Sequence, residues 1–171
     1  EEEEEEEEEE REFLSNYIEN LSITDVEGNS HNLYDQLNQG KTVILNLFAS
    51  WCDYCWDYYE YSDEYSILQS AESSYLNDLF VMHIETDKST SPSSLFENEY
   101  NTGDWGSLLG RDRLLNADDL LIDQLQSNLY FNFSNLSYYP YIVKICPDRS
   151  FEELEYVETL EEYLDEIIEC Q

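Results

Sequence analysis

The chain has 171 residues, with 41 Asp and Glu against 7 Lys and Arg, a formal charge of −34, and 41% hydrophobic residues. That apolar share is enough for one core, which excludes wholesale disorder and sets the scale at one domain with a short appendage. Cations are too few to grip nucleic-acid phosphates or an anionic bilayer, and no run approaches the roughly 20 apolar residues of a membrane helix.

Residues 1–12 open with ten consecutive glutamates and read as a self-repelling, solvated tail; residues 13–171 form the domain. No basic region followed by an apolar one stands at the start, so no signal peptide is expected. Leu21 to Val26 alternates apolar and polar residues as a half-buried strand does, and Glu27-Gly28-Asn29 is a turn signal that lets Ser30 to Leu33 return as a second strand. Leu33 to Leu37 reads as a single helical turn, ended by Gly40 because glycine accepts the left-handed conformation.

Thr42 to Ala49 is a nearly continuous apolar run rich in β-branched residues, the pattern of a strand covered on both faces. From Cys52 to about Ser70 the spacing turns helical, with Tyr58, Tyr61, Tyr65 and Leu68 forming a core-facing stripe. Leu79 to Ile84 is a second buried strand. Residues 86–107 are dense in breakers and read as loop. A helix is expected from Ala117 to about Leu129, with Asn116 as its cap and Asp118-Asp119 in the first turn, where negative charge suits the dipole. Tyr141 to Ile145 is a third buried strand. Pro147 to Ser150 turns into a fourth near Leu154 to Val157, and Leu160 to Ile168 is an amphipathic helix.

One constellation carries chemistry. The first buried strand runs straight into Trp51-Cys52-Asp53-Tyr54-Cys55-Trp56 at a helix start. The first helical turn brings two cysteines three apart within bonding reach, and its orphan amide N–H groups favour a thiolate on the first. The second can then resolve a mixed disulfide. A lone CxxC could instead be half of a metal site, yet no second CxxC follows. The only histidines are His31 and His83, and His83 lies in an apolar strand as a core residue would. Redox exchange is the stronger reading; it needs no metal and no cofactor, because the dithiol itself stores two electrons. Cys146 and Cys170 admit two readings, inert buried thiols or a disulfide, and spacing does not choose between them. Asn20, Asn132 and Asn135 head glycosylation sequons, a motif short enough to arise by chance.

The stretch from Gly40 to Cys55 resembles the active-site strand and turn of the thioredoxin-like superfamily. The nearest branch is that of the TlpA- and ResA-like thiol–disulfide oxidoreductases, related to the AhpC/TSA group. Asn46 stands where that branch carries Asn in place of a buried Asp, and Thr24 to Asn29 is similar to the branch's N-terminal hairpin. Tyr139-Pro140 before a buried strand matches the family's cis-proline.

The resemblance implies an α/β, three-layer sandwich: a central mixed β-sheet flanked by helices, with an N-terminal β-hairpin and an insertion at approximately 86–113. It implies Cys52 and Cys55 as catalytic residues, with Trp51, Asp53, Tyr54, Tyr139, Pro140 and Asn46 around them. It also implies protein thiols and disulfides as partners, a separate electron donor or acceptor, and an extracytoplasmic or secreted address. The family's usual Gly-Pro or Pro-Pro between the cysteines is here Asp53-Tyr54. With Asp57 and Glu60 on the same helix, Asp53 opposes the helix dipole at Cys52, which points to a reductant or isomerase-like poise. A redox-silent binding module using the acidic, tyrosine-rich face and the insertion is the alternative. A peroxidase would need Thr three residues before the nucleophile, where Ala49 stands.

Overall fold

The computed structural model describes residues 17–74, 78–87, 95–96, 102–128, 140–154, 162, 165–167 and 169–170. The acidic tail, Tyr139, the last two sequons and most of the C-terminal stretch lie outside them.

A two-stranded antiparallel hairpin of β1 (Ser22–Thr24) and β2 (Ser30–Asn32) precedes a five-stranded mixed sheet. Asp25 builds the hairpin turn: its carboxylate accepts the amides of Glu27 and Asn29, each at 2.9 Å, and meets His31 Nε2 at 2.9 Å. The single-turn helix α1 (Leu33–Leu37) follows, capped by the Asn32 side chain on the Asp35 amide. Gly40 beyond it has φ +81°, the left-handed conformation expected there.

The sheet contains β3 (Thr42–Phe48), β4 (Leu79–Glu85), β5 (Leu114–Asn116), β6 (Tyr141–Ile145) and β7 (Phe151–Glu153), ordered β5-β4-β3-β6-β7. β3 lies parallel to β4 and antiparallel to β6, which returns antiparallel to β7. Both central strands are buried along their whole length, as their unbroken apolar runs require. Because side chains alternate, Val43, Leu45, Leu47, Phe80, Met82 and Ile84 pack on one face against the hairpin, α1 and Leu121, Ile122 and Leu125. The other face carries Ile44, Phe48 and Val81 beneath α2 (Asp53–Tyr61) and α3 (Asp63–Ser74). The helices on two faces and the hairpin match the expected three layers.

Four differences from the sequence reading have physical causes. The expected long helix breaks at Ser62, which has extended backbone and whose hydroxyl caps the Tyr65 amide at 3.1 Å. Helical phase restarts there, so Tyr65 and Leu68 are buried, Tyr61 is 72% exposed, and Tyr59 fills the core slot. The stretch read as loop to 107 ends in a short helix, α4 (Trp105–Leu109), capped by Asp104 and anchored by a fully buried Trp105. Asn116 ends β5 rather than capping α5 (Asp119–Asn128); Asp118 accepts the Leu121 amide at 2.8 Å instead. Lastly, β7 begins at Phe151, because the Pro147 to Ser150 turn pairs Phe151 with Ile145 directly. Residues 155–157, expected in that strand, lie outside the described ones.

Cys146 and Cys170 are joined as a disulfide with a Cα separation of 5.6 Å, which settles the choice that spacing left open. The link secures the C-terminal segment, where helical residues 165–167 place Ile167 in the core. Beside it the buried Lys144 ammonium donates to the carbonyls of Glu166 (2.7 Å) and Glu169 (3.0 Å) and pairs with Glu152 at 2.5 Å. Leu160, Leu164 and Ile168 of the expected helix are outside the described residues.

Candidate active site at the start of helix α2

β3 ends at Phe48, and Ala49 to Trp51 turn the chain into α2. Cys52 is the helix N-cap: its Sγ accepts the Cys55 amide at 3.1 Å, and its carbonyl accepts the Trp56 amide at 3.1 Å. The two cysteines form a disulfide with their Cα atoms 5.2 Å apart. Cys55 is fully buried, whereas the Cys52 residue keeps 8% of its surface exposed, so Cys52 is the more accessible of the pair. Sulfur at an N-cap sits where the helix dipole and unsatisfied N–H groups stabilise negative charge.

The turn before Cys52 is held from two sides. From the end of β4, the Glu85 carboxylate accepts the Ser50 amide and also the Asp87 amide at 2.6 Å, and Asp87 accepts the indole N–H of Trp51. Across the turn, the Ser50 carbonyl accepts Trp105 Nε1 at 3.0 Å, and Thr102 Oγ1 donates to Asp53 at 3.1 Å. Trp105 packs edge-on to Trp56 with ring centroids 4.9 Å apart. Gly103 lies against Trp56 so closely that any Cβ there would strike the indole ring.

Below the helix, on the same sheet face, lies a polar row. Asn46 and His83 are register partners on β3 and β4, and Asn46 Nδ2 sits 3.1 Å from His83 Nδ1. An amide nitrogen can only donate, so Nδ1 accepts and Nε2–H points to the Tyr65 hydroxyl at 3.2 Å. Burial, assisted by the Arg113 charge, pushes His83 down to about 3, so the ring is neutral. His83 is therefore the core histidine its strand suggested. Burial pushes the Glu85 carboxyl up to about 7 against the lowering effect of the two amides it accepts, and the Asp87 charge adds to the rise. It also pushes the Tyr65 phenol upward.

Of the residues expected at the site, the structure brings together Cys52, Cys55, Trp51 and Asp53 around the turn. Tyr54 stands 71% exposed at its edge, and Pro140 shares a groove with it. Asn46 lies fully buried on the face below α2. Tyr139 is outside the described residues. Sequence reading missed Glu85, Asp87, Thr102 and Trp105. Glu85-Thr86-Asp87, placed directly after a buried strand, and a tryptophan amid breakers were the available signals. Among the described residues no group of His, Cys, Asp and Glu is arranged to hold a metal ion, and no helix is long and apolar enough to cross a membrane.

No family model matches the chain, and no curated protein does. Solved structures do. The thioredoxin domain of a thiol-disulfide oxidoreductase from Bacteroides vulgatus matches with a TM-score of 0.58 at 14% identity, covering 91% of this chain and 98% of that one. A thiol:disulfide interchange protein of the thioredoxin family from Chlorobium tepidum gives 0.59 at 17% identity, covering 88% and 92%. The pneumococcal exposed lipoprotein thioredoxin from Streptococcus pneumoniae gives 0.55 at 17% identity, covering 87% and 98%. At these identities the likeness is one of fold, and the fold is that of thioredoxin.

Proposed function

We propose that this chain, built on the thioredoxin fold, is a thiol–disulfide oxidoreductase exchanging its Cys52–Cys55 pair with protein thiols and disulfides. The observation that carries the reading is the asymmetry of the pair: one sulfur caps a helix in a residue that keeps a little exposed surface, and the other belongs to a residue that keeps none. In the reducing direction the Cys52 thiolate attacks a substrate disulfide. A Cys52–substrate bond forms, and the other substrate sulfur leaves as a thiolate that takes up a proton. Cys55, deprotonated, then attacks Cys52 Sγ and expels the second substrate thiol, which restores the Cys52–Cys55 disulfide. Two electrons pass to the substrate, and a separate donor must return them. Run backwards, the same steps oxidise a dithiol.

Pro140, as a cis-proline, shapes the groove for the substrate backbone. Trp51 and Tyr54 flank the sulfurs, Tyr139 precedes the proline, and Asn46 supplies an uncharged polar group beneath the helix. Asp53, Asp57 and Glu60 work against the helix dipole at Cys52 and favour a reductant or isomerase-like poise. The domain runs from residue 13, with approximately 86–113 as an insertion whose Thr102 and Trp105 brace the turn. An extracytoplasmic address is supported by the Cys146–Cys170 disulfide, since such links persist in oxidising compartments, and by the exposed lipoprotein among its structural neighbours.

Reduction of insulin disulfides with dithiothreitol tests the reading. The parent should accelerate insulin precipitation, and Cys52→Ser should not. Equal rates would favour the redox-silent binding module.

A further inference from the structure

Next to the disulfide the surface forms a groove of about 490 Å³. One wall is α2 with the start of α3; the other is Pro140 with β6 and the end of β7. The helix wall presents the rings of Tyr54, Tyr58 and Tyr61, and Tyr54 and Tyr61 are 71% and 72% exposed. Asp57 and Glu64 add carboxylates on the same wall, and Glu153 adds one opposite. No Lys, Arg or His is among the described residues that line it.

Exposed aromatic faces interleaved with carboxylates fit one ligand chemistry best: a cation on a long aliphatic stem. The stem lies along a ring, and the charged head meets the ring face and the carboxylates together. The chain's own cations use this geometry elsewhere. Arg149 lies 4.1 Å from the Tyr34 ring centroid, and Arg113 lies 4.4 Å from that of Phe80. An acidic segment entering the groove would instead meet three carboxylates on a chain of net charge −34.

We propose that this groove binds a basic segment of the protein substrate, with a Lys or Arg within a few residues of the reacting cysteine. It thereby selects basic substrates for the Cys52–Cys55 pair. The selection rests on the exchange reading above; the binding does not.

The test separates the two. Two otherwise identical peptides, with Ser in place of Cys and either Lys or Glu at the flanking positions, are titrated into the oxidised protein at low ionic strength by calorimetry. The Lys peptide should bind at least about tenfold more tightly, the combined scale of a cation–π contact and exposed ion pairs. Asp57→Asn with Glu64→Gln and Glu153→Gln should remove that preference. A control with the same charge change at exposed sites elsewhere, Glu27→Gln with Asp35→Asn and Asp119→Asn, should keep it. Equal binding of the two peptides would overturn the proposal, and so would equal losses in both triple variants, which would mark attraction to bulk charge. Reduction of the neutral hydroxyethyl disulfide by the reduced parent is the separate arm. Its absence would sink the exchange reading while the titration still decides the groove.

Discussion

Cys52 Sγ accepts the backbone amide of Cys55 at 3.1 Å, so the more exposed cysteine of the pair is also the one that caps helix α2. In the proposed exchange the capping sulfur is the one that attacks, and the buried one behind it is the one that resolves.

That division of labour is directly separable. Cys55→Ser should accumulate a stable mixed disulfide with a reduced protein or peptide substrate after oxidation, visible as an added mass on non-reducing spectrometry. Cys52→Ser should accumulate none, because the remaining Cys55 is fully buried. Adducts of equal yield on both variants would contradict the assignment.

Asp53 places a carboxylate in the first turn of α2, where the dipole favours negative charge and so competes with a thiolate at Cys52. Asp53→Asn keeps the oxygen that accepts from Thr102 while removing the charge. Alkylation of reduced Cys52 near neutral pH should speed up about two- to fivefold, the scale of one screened charge at a helix terminus. An unchanged or slower rate would show that Asp53 does not set the poise.

Glu85 ties stability to pH. Its carboxyl is raised from 4.5 to about 7 by burial, so between those values the folded chain holds a proton that the unfolded chain has released. Its stabilising contribution is full below about 4.5 and is lost as pH rises through 7, for a total on the order of 3 kcal/mol. His83, pushed down to about 3, slopes the opposite way between 3 and 6.5, so the parent must be compared with Glu85→Gln at each pH. Urea unfolding should show the parent losing stability relative to the variant from pH 5 to pH 8. A pH-independent difference would contradict the buried acid.

The second disulfide closes a 24-residue separation, and the chain-entropy cost of opening it is about 3–4 kcal/mol. Cys146→Ser with Cys170→Ser should lower unfolding stability by that order. Reactivity at Cys52 should persist, because Cys146 and Cys170 lie apart from the turn. Loss of exchange in a variant that still folds would show the two disulfides to be coupled.

What could be read in advance, and what could not, follows from the range of each signal. The 42–49 run and the Cys52-Cys55 spacing are local patterns, and β3, the disulfide and the helix start fall where they were expected. Ser62 is a local signal that prevails over the tyrosine spacing, because its hydroxyl caps the Tyr65 amide and restarts the helix there. Ser62-Asp63-Glu64 reads as a helix start, but the tyrosine spacing ran through it and put Tyr61 rather than Tyr59 in the core. β5 has only three residues and no period of its own; pairing with His83 to Glu85 makes it a strand. The clamp from Glu85, Thr102 and Trp105 onto Ser50 spans 35 to 55 positions and exists only once the sheet has formed. The Cys146–Cys170 link likewise depends on where β6 and the C-terminal segment meet.

The midpoint potential of the Cys52–Cys55 couple, equilibrated in glutathione buffers and read by alkylation and peptide mass mapping, tests the central claim most directly. One two-electron transition is expected at this pair, in the isomerase-to-reductant range of about −180 to −270 mV. A pair that never equilibrates, or one poised near the roughly −120 mV of a strong oxidant, would contradict it.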